Sequence, residues 1–137
     1  MRSIRAKDTK PEKAVRSIVH RLGFRFRLHR KDLPGRPDLV LPRLRTVVLV
    51  HGCFWHRHRG CPFAYVPKSR GDFWTCKFEI NVRRDERVKK DLETLGWRVV
   101  TIWECELRDQ ARLRRRLSSL LARPTQHALR RRPRASD

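Results

Sequence analysis

PDLVLPRLRTVVLVHGCFWH, residues 37–56, is the stretch whose reading decides the fold. Asp38-Leu-Val-Leu41 is a short extended run, and Pro42 breaks it because proline cannot donate to a strand ladder. The chain resumes at Arg45, and Thr46-Val-Val-Leu-Val50 is apolar and β-branched enough to demand a more fully buried strand. That strand runs straight into HGCFWHRHRGC, residues 51–61, where eleven residues hold three histidines, two cysteines and an adjacent Phe-Trp pair.

Toward the N-terminus, Asp32 to Pro37 is turn chemistry, and Phe24-Arg-Phe-Arg-Leu28 alternates as a half-buried strand. Before it, Thr9-Lys-Pro-Glu12 reads as a capping box opening a helix to about Leu22. Val15, Ile18, Val19 and Leu22 form the apolar stripe of that helix, and Gly23 ends it. Residues 1–8 are basic and read as a mobile arm. Toward the C-terminus, the His/Cys loop continues to about Arg70, and a long helix is expected from Gly71 to Leu95, stopped by Gly96. Trp97 to Trp103 (WRVVTIW) is a fourth strand, and Glu106 to Leu121 a last helix. Residues 122–137 read as a disordered basic tail. The order α-β-β-β-α-β-α makes residues 9–121 one α/β domain with a mixed central sheet flanked by helices.

A chain of 137 residues suffices for one core. Apolar residues make up 39% and charged residues 36%, and the formal net charge is +21. Such a charge opposes compaction unless a polyanion offsets it, and nucleic acid is the obvious one. No apolar stretch approaches a membrane span, and MRSIRAKDTKPE holds no signal-peptide core, so a cytoplasmic protein with reduced thiols is expected. Its four cysteines, Cys53, Cys61, Cys76 and Cys105, then point to metal more than to disulfides.

Cys53, His58 and Cys61 are spaced so that one tight loop presents three ligands. Structural zinc takes four nitrogen or sulfur ligands in a tetrahedron. Cys105, at the end of the fourth strand, is the best distant fourth; Cys76 competes, although its place in a long helix suits a buried small residue. Asp38, at a strand start beside a basic surface, suits a Mg²⁺ ligand, or a turn cap after Gly35-Arg-Pro. Asp85 falls on the apolar stripe of the long helix, between Val82 and Val88, where a bare charge is expensive. Its partner is an arginine or a histidine that it orients. Glu12 lies on the inward face of the first helix, with the capping box as the competing role. His56, left over once His58 is given to zinc, suits a general base or a surface histidine. Phe54 and Trp55 cannot both face one core, so one is expected exposed, suited to stacking on bases; Trp74 reads as core from its stripe.

Gly35-Arg-Pro-Asp38, His51-Gly-Cys-Phe-Trp-His56, Asn81-Val-x-x-Asp85, Gly96-Trp-Arg-Val and Trp103-Glu-Cys105 together resemble the very short patch repair (Vsr) mismatch endonucleases, collinearly over residues 1–121. The resemblance implies a restriction-endonuclease-like fold of the PD-(D/E)xK superfamily. It implies nicking of duplex DNA 5′ of the thymine in a T:G mismatch left by deamination of 5-methylcytosine. Asp38 and the backbone carbonyl of Val50 would hold catalytic Mg²⁺; Val50 stands where relatives carry Thr. His56 would activate water, oriented by Asp85, with Glu12 and His51 completing the active site. Cys53, His58, Cys61 and Cys105 would hold structural Zn²⁺, with Gly60 lengthening the spacing before Cys61 by one residue relative to some relatives. Phe54, Trp55 and Trp74 would be a wedge intercalating beside the mismatch, which overrides the core reading of Trp74, and residues 1–8 an arm reaching the DNA from the other groove. The expected partner is mismatched double-stranded DNA, bound by a monomer associated with the nucleoid. A functional link to a cytosine-5 methyltransferase and the mismatch-repair machinery is implied. Two other functions compete: a nickase of broader or different specificity tied to a restriction-modification locus, and a zinc-stabilised DNA-binding module without catalysis.

Overall fold

The computed structural model describes residues 9–28 and 30–122; the expected arm and nearly all of the expected basic tail lie outside the described residues. Helix α1 (Lys10–Arg21) opens on Thr9, whose hydroxyl accepts from the Glu12 amide, with Pro11 in the first turn where no donor is needed. Strands β1 (Arg27–Leu28), β2 (Leu39–Leu41), β3 (Thr46–His51) and β4 (Arg98–Trp103) form one sheet in chain order. The first three strands are antiparallel neighbours, and β4 runs parallel to β3. The parallel pair requires a crossover, and α2 (Gly71–Thr94) supplies it. Helix α3 (Gln110–Ala122) closes the chain. The fold is therefore mixed α/β with a four-stranded mixed sheet.

Alternation along the strands divides the core between two faces. Leu39, Leu41, Val48, Val100 and Ile102 pack with Val15, Ile18 and Val19 of α1 and Leu113, Leu117 and Leu121 of α3. Val40 and Val47 point the other way, onto Leu92 of α2 with Leu33 and Trp97. Two helices thus cover one face and α2 the other. Because β2 is antiparallel to β3, Asp38, which precedes β2, comes beside the end of β3: the Val50 amide donates to its carboxylate at 2.6 Å.

Several expectations shift. Only Arg27 and Leu28 of the expected 24–28 strand pair, because β2 offers them just Val40 and Leu39; Phe24 and Phe26 still pack against the core. The last helix begins at Gln110 rather than Glu106, because residues Glu104–Arg108 tighten into a 3₁₀ turn. The Glu106 carboxylate bonds back to the Trp103 amide, and Asp109 caps the following helix at Arg112. Cys76 is exposed, not buried, and Leu95 lies outside the core. Helix α2 buries a narrow stripe through Phe78 and Leu92, and Cys76 falls off it.

Candidate active site and metal cluster

A cavity of about 710 Å³ opens at the end of β3, lined among others by Glu12, Asp38, Val50, His51, Trp55, His56 and Asp85. Three layers supply these groups: α1 brings Glu12 from one face, the β2–β3 pair brings Asp38 and His51, and α2 brings Asp85 from the other face. Burial pushes the Asp38 carboxyl up to about 7, against the pull of the Val50 amide, and the neighbouring Glu12 carboxylate raises it further. Arg16 lies 3.6 Å from the buried Glu12 carboxylate, and the remaining repulsion between Glu12 and Asp38 is an arrangement that a divalent cation relieves.

His56 Nδ1 and Asp85 Oδ2 lie 2.6 Å apart. With a carboxylate oxygen as acceptor, Nδ1 carries the proton and Nε2 is left with its lone pair. Asp85 is half-buried, so the expensive charge inferred from its helical position does have a histidine partner. His51 stacks face to face on His56, ring centroids 3.9 Å apart at 7°, and edge-on to Trp103 at 5.3 Å. Its Nδ1 is buried without a hydrogen-bond partner, and burial holds its pKa down to about 4, with the neighbouring His56 contributing next. His51 is therefore a neutral wall of the cavity at neutral pH.

Beyond Trp103, whose other side stacks on His58 at 4.2 Å and 11°, lies the second cluster. Cys53, His58, Cys61 and Cys105 place their ligand atoms within 4.8 Å of one another. His58 Nδ1 is 3.6 Å from the Cys53 sulfur and 3.4 Å from that of Cys105. Bonds of about 2.0–2.3 Å in a tetrahedron give edges of roughly 3.3–3.8 Å, so this set fits a closed metal centre. Burial pushes the Cys53 thiol up to about 12, a penalty that a coordinated cation reverses. Cys76 is not in the set. Gly60 takes a left-handed conformation (φ 74°) in the turn before Cys61, which a glycine adopts without steric cost.

The aromatics meet beside the cavity. Phe54 is the hub: its ring contacts Trp55, Tyr65, Trp74 and Phe78 at centroid distances of 5.0, 5.2, 5.7 and 5.2 Å. Phe54, Trp55 and Trp74 are all half-buried, so Trp74 is neither a full core residue nor a free one. The Asn81 side-chain amide donates to the Trp55 carbonyl at 3.3 Å. Three arginines near the site carry no mark in the sequence. Arg36 and Arg84 line the cavity mouth, invisible as individuals among 35 lysines and arginines. Arg57, between the two histidines of the loop, is a left-handed non-glycine residue (φ 55°) that no composition signal marks.

Residues 1–61 match the family model described as DNA mismatch endonuclease Vsr. Over 121 residues, 88% of each chain, this protein is 54% identical to the type II nicking enzyme V.XorIIP of Xanthomonas oryzae pv. oryzae. It is 44% identical over 121 residues to the type II nicking enzyme V.NmeAIP of Neisseria meningitidis, spanning 88% of this chain and 86% of the relative. It is 45% identical over 113 residues to the DNA mismatch endonuclease Vsr of Escherichia coli strain K12, spanning 82% of this chain and 72% of the relative.

Proposed function

Because the chain belongs to the Vsr family of DNA mismatch endonucleases, we propose that it nicks one strand of duplex DNA 5′ of the thymine in a T:G mismatch left by deamination of 5-methylcytosine. In this reading Asp38 would hold Mg²⁺, the Cys53, His58, Cys61, Cys105 cluster would hold Zn²⁺, and residues 9–121 are the endonuclease domain on a restriction-endonuclease-like fold. The observation that carries it is a single cavity holding an Asp–Glu pair and, across it, a histidine whose Nδ1 is held by Asp85.

Asp38 and Glu12 would supply the carboxylates for the cation, and the Val50 carbonyl would add a neutral oxygen. When bound, Mg²⁺ supplies positive charge against the oxygens of the scissile phosphate. His56, fixed in one tautomer by Asp85, takes a proton from water at Nε2. His51 keeps one face of that ring dry and uncharged. Phe54, Trp55 and Trp74 wedge into the base stack beside the mismatch, where a wobble pair is cheaper to open than a matched one. With four protein ligands, the Cys53, His58, Cys61, Cys105 set would hold Zn²⁺ as a closed structural centre and so fix the loop that carries His56. The enzyme acts as a monomer on nucleoid DNA, linked in function to a cytosine-5 methyltransferase and mismatch repair.

Asp38→Ala and His56→Ala should each abolish Mg²⁺-dependent nicking of a T:G duplex while retaining binding in a gel-shift assay; nicking at the parent rate by either variant overturns these roles. A second reading, a nickase of different specificity from a restriction-modification locus, is favoured by the relatives named as type II nicking enzymes. Nicking rates on all mismatches in several sequence contexts separate the two.

A further inference from the structure

Arg57 lies between His56 and His58, the two histidines with separate duties in the loop. Its backbone is left-handed, a conformation that costs a non-glycine residue about 1 kcal/mol or more and persists only where the surroundings enforce it. Here the side chain does the enforcing. One guanidinium nitrogen, Nη1, donates to the carbonyls of Phe54 at 3.0 Å and Tyr65 at 3.1 Å. The other, Nη2, donates to the Ala64 carbonyl at 2.7 Å. The guanidinium carbon sits 3.8 Å from the centroid of the Phe78 ring, on the buried stripe of α2. Three stretches without a shared ladder are thereby tied at one point: the loop before His56, the 62–70 segment beyond the cysteine cluster, and α2.

We propose that Arg57 is the positioning residue of the aromatic wedge, a brace separate from the metal cluster. This rests on the reading of Phe54, Trp55 and Trp74 as that wedge. The hub of the cluster is Phe54, and Arg57 holds it from its backbone while Phe78 holds it from its ring. A cation on the Cys/His set would fix Cys53 and His58 but takes no ligand atom from Phe54 or Trp55, and beside the Asn81 amide on the Trp55 carbonyl a second tie sets how they stand against α2. Arg57 does so through a planar fork with several donors, which a lysine ammonium on a flexible stem does not reproduce. The wedge is thus preorganised before DNA arrives, so opening the stack is not accompanied by ordering of the loop.

The test uses full-length protein, Arg57→Lys and Arg57→Ala, with zinc content measured for each. A 2-aminopurine base beside the T:G mismatch reports unstacking, and nicking is compared on that duplex and on one whose thymine faces an abasic site, already loosened. The proposal predicts zinc at the parent stoichiometry, loss of the 2-aminopurine signal, and a fall in nicking roughly tenfold larger on the T:G duplex than on the loosened one. Lysine should not rescue. Equal losses on both substrates, zinc loss, or a parent-level fluorescence signal in both variants overturns it. A parent protein that gives no fluorescence change on binding overturns the wedge reading instead.

Discussion

At the scale of single residues, Asp38 makes the site sensitive to pH. Its carboxyl titrates near 7 instead of 3.8, because burial and Glu12 outweigh the Val50 amide. A cation must displace that proton, so Mg²⁺ affinity measured by calorimetry should rise about tenfold per pH unit below 7 and level off above it. Flat affinity from pH 5.5 to roughly 8 would contradict the assignment. The stability sign follows from the same shift. A carboxyl raised on folding stabilises fully below its unfolded value and loses that contribution as pH rises through its folded one. Metal-free protein should therefore lose thermal stability between about pH 4 and 7 relative to Asp38→Asn. His51, held down to about 4, works in the opposite direction over an overlapping range, which is why the comparison needs the variant. Asp85→Asn keeps the packing but can present the amide to Nδ1 as donor, turning the ring to the wrong tautomer. Nicking should fall about 10²- to 10⁴-fold with binding retained. Asp85 was legible from the sequence because a helical period put a charge where the core should be. Arg57 was not, because its importance lies in a positive φ and three carbonyls that no periodicity encodes.

At the scale of elements, the spacing between the Asp38 turn and α2 depends on one glycine. Gly35 has φ 72°, and a methyl group there would overlap the Val88 side chain, one turn beyond Asp85. Gly35→Ala should push α2 outward, destabilise by about 1–3 kcal/mol in chemical denaturation, and slow nicking by separating Asp85–His56 from Asp38. Val88→Ala in the same chain should restore much of the nicking while retaining the left-handed strain; no recovery would show that backbone strain alone matters. Removing metal with a chelator tests the other support. It should unfold the 53–61 loop and abolish nicking while leaving the Leu39–Val48–Ile102 core intact, seen as near-parent far-ultraviolet circular dichroism. Element existence and order were legible from hydrophobic period and breakers, since Val47–Val50, Gly23 and Gly96 act locally. Boundaries were not. The short β1 depends on the length of its partner, and the late start of α3 on Glu106 bonding to Trp103. Cys76 is exposed because a place in a long helix does not by itself bury a small residue: α2 buries only Phe78 and Leu92.

At the scale of the whole molecule, a net charge of +21 sets how the protein meets DNA. Affinity for duplex should fall by about 10³-fold or more between about 50 and 200 mM salt, the behaviour of six or more neutralised phosphates; a shallow dependence would mean the charge lies off the interface. Charge reveals a polyanion and no chemistry. The two-faced core then assigns places: α1 and α3 on one side, α2 on the other, and the open ends of β2 and β3 between them as the cavity. Among the described residues no helix is long and apolar enough to cross a membrane. What joins fold to reaction is the meeting of Asp38 and the Asp85-held His56 in one cavity beside an aromatic cluster. The direct measurement is strand-resolved nicking with Mg²⁺ on a T:G duplex labelled on both strands, beside its T:A counterpart. One cut is expected, 5′ of the mismatched thymine, with the matched duplex left whole. Cutting of both strands, or of the T:A duplex at a similar rate, would contradict it.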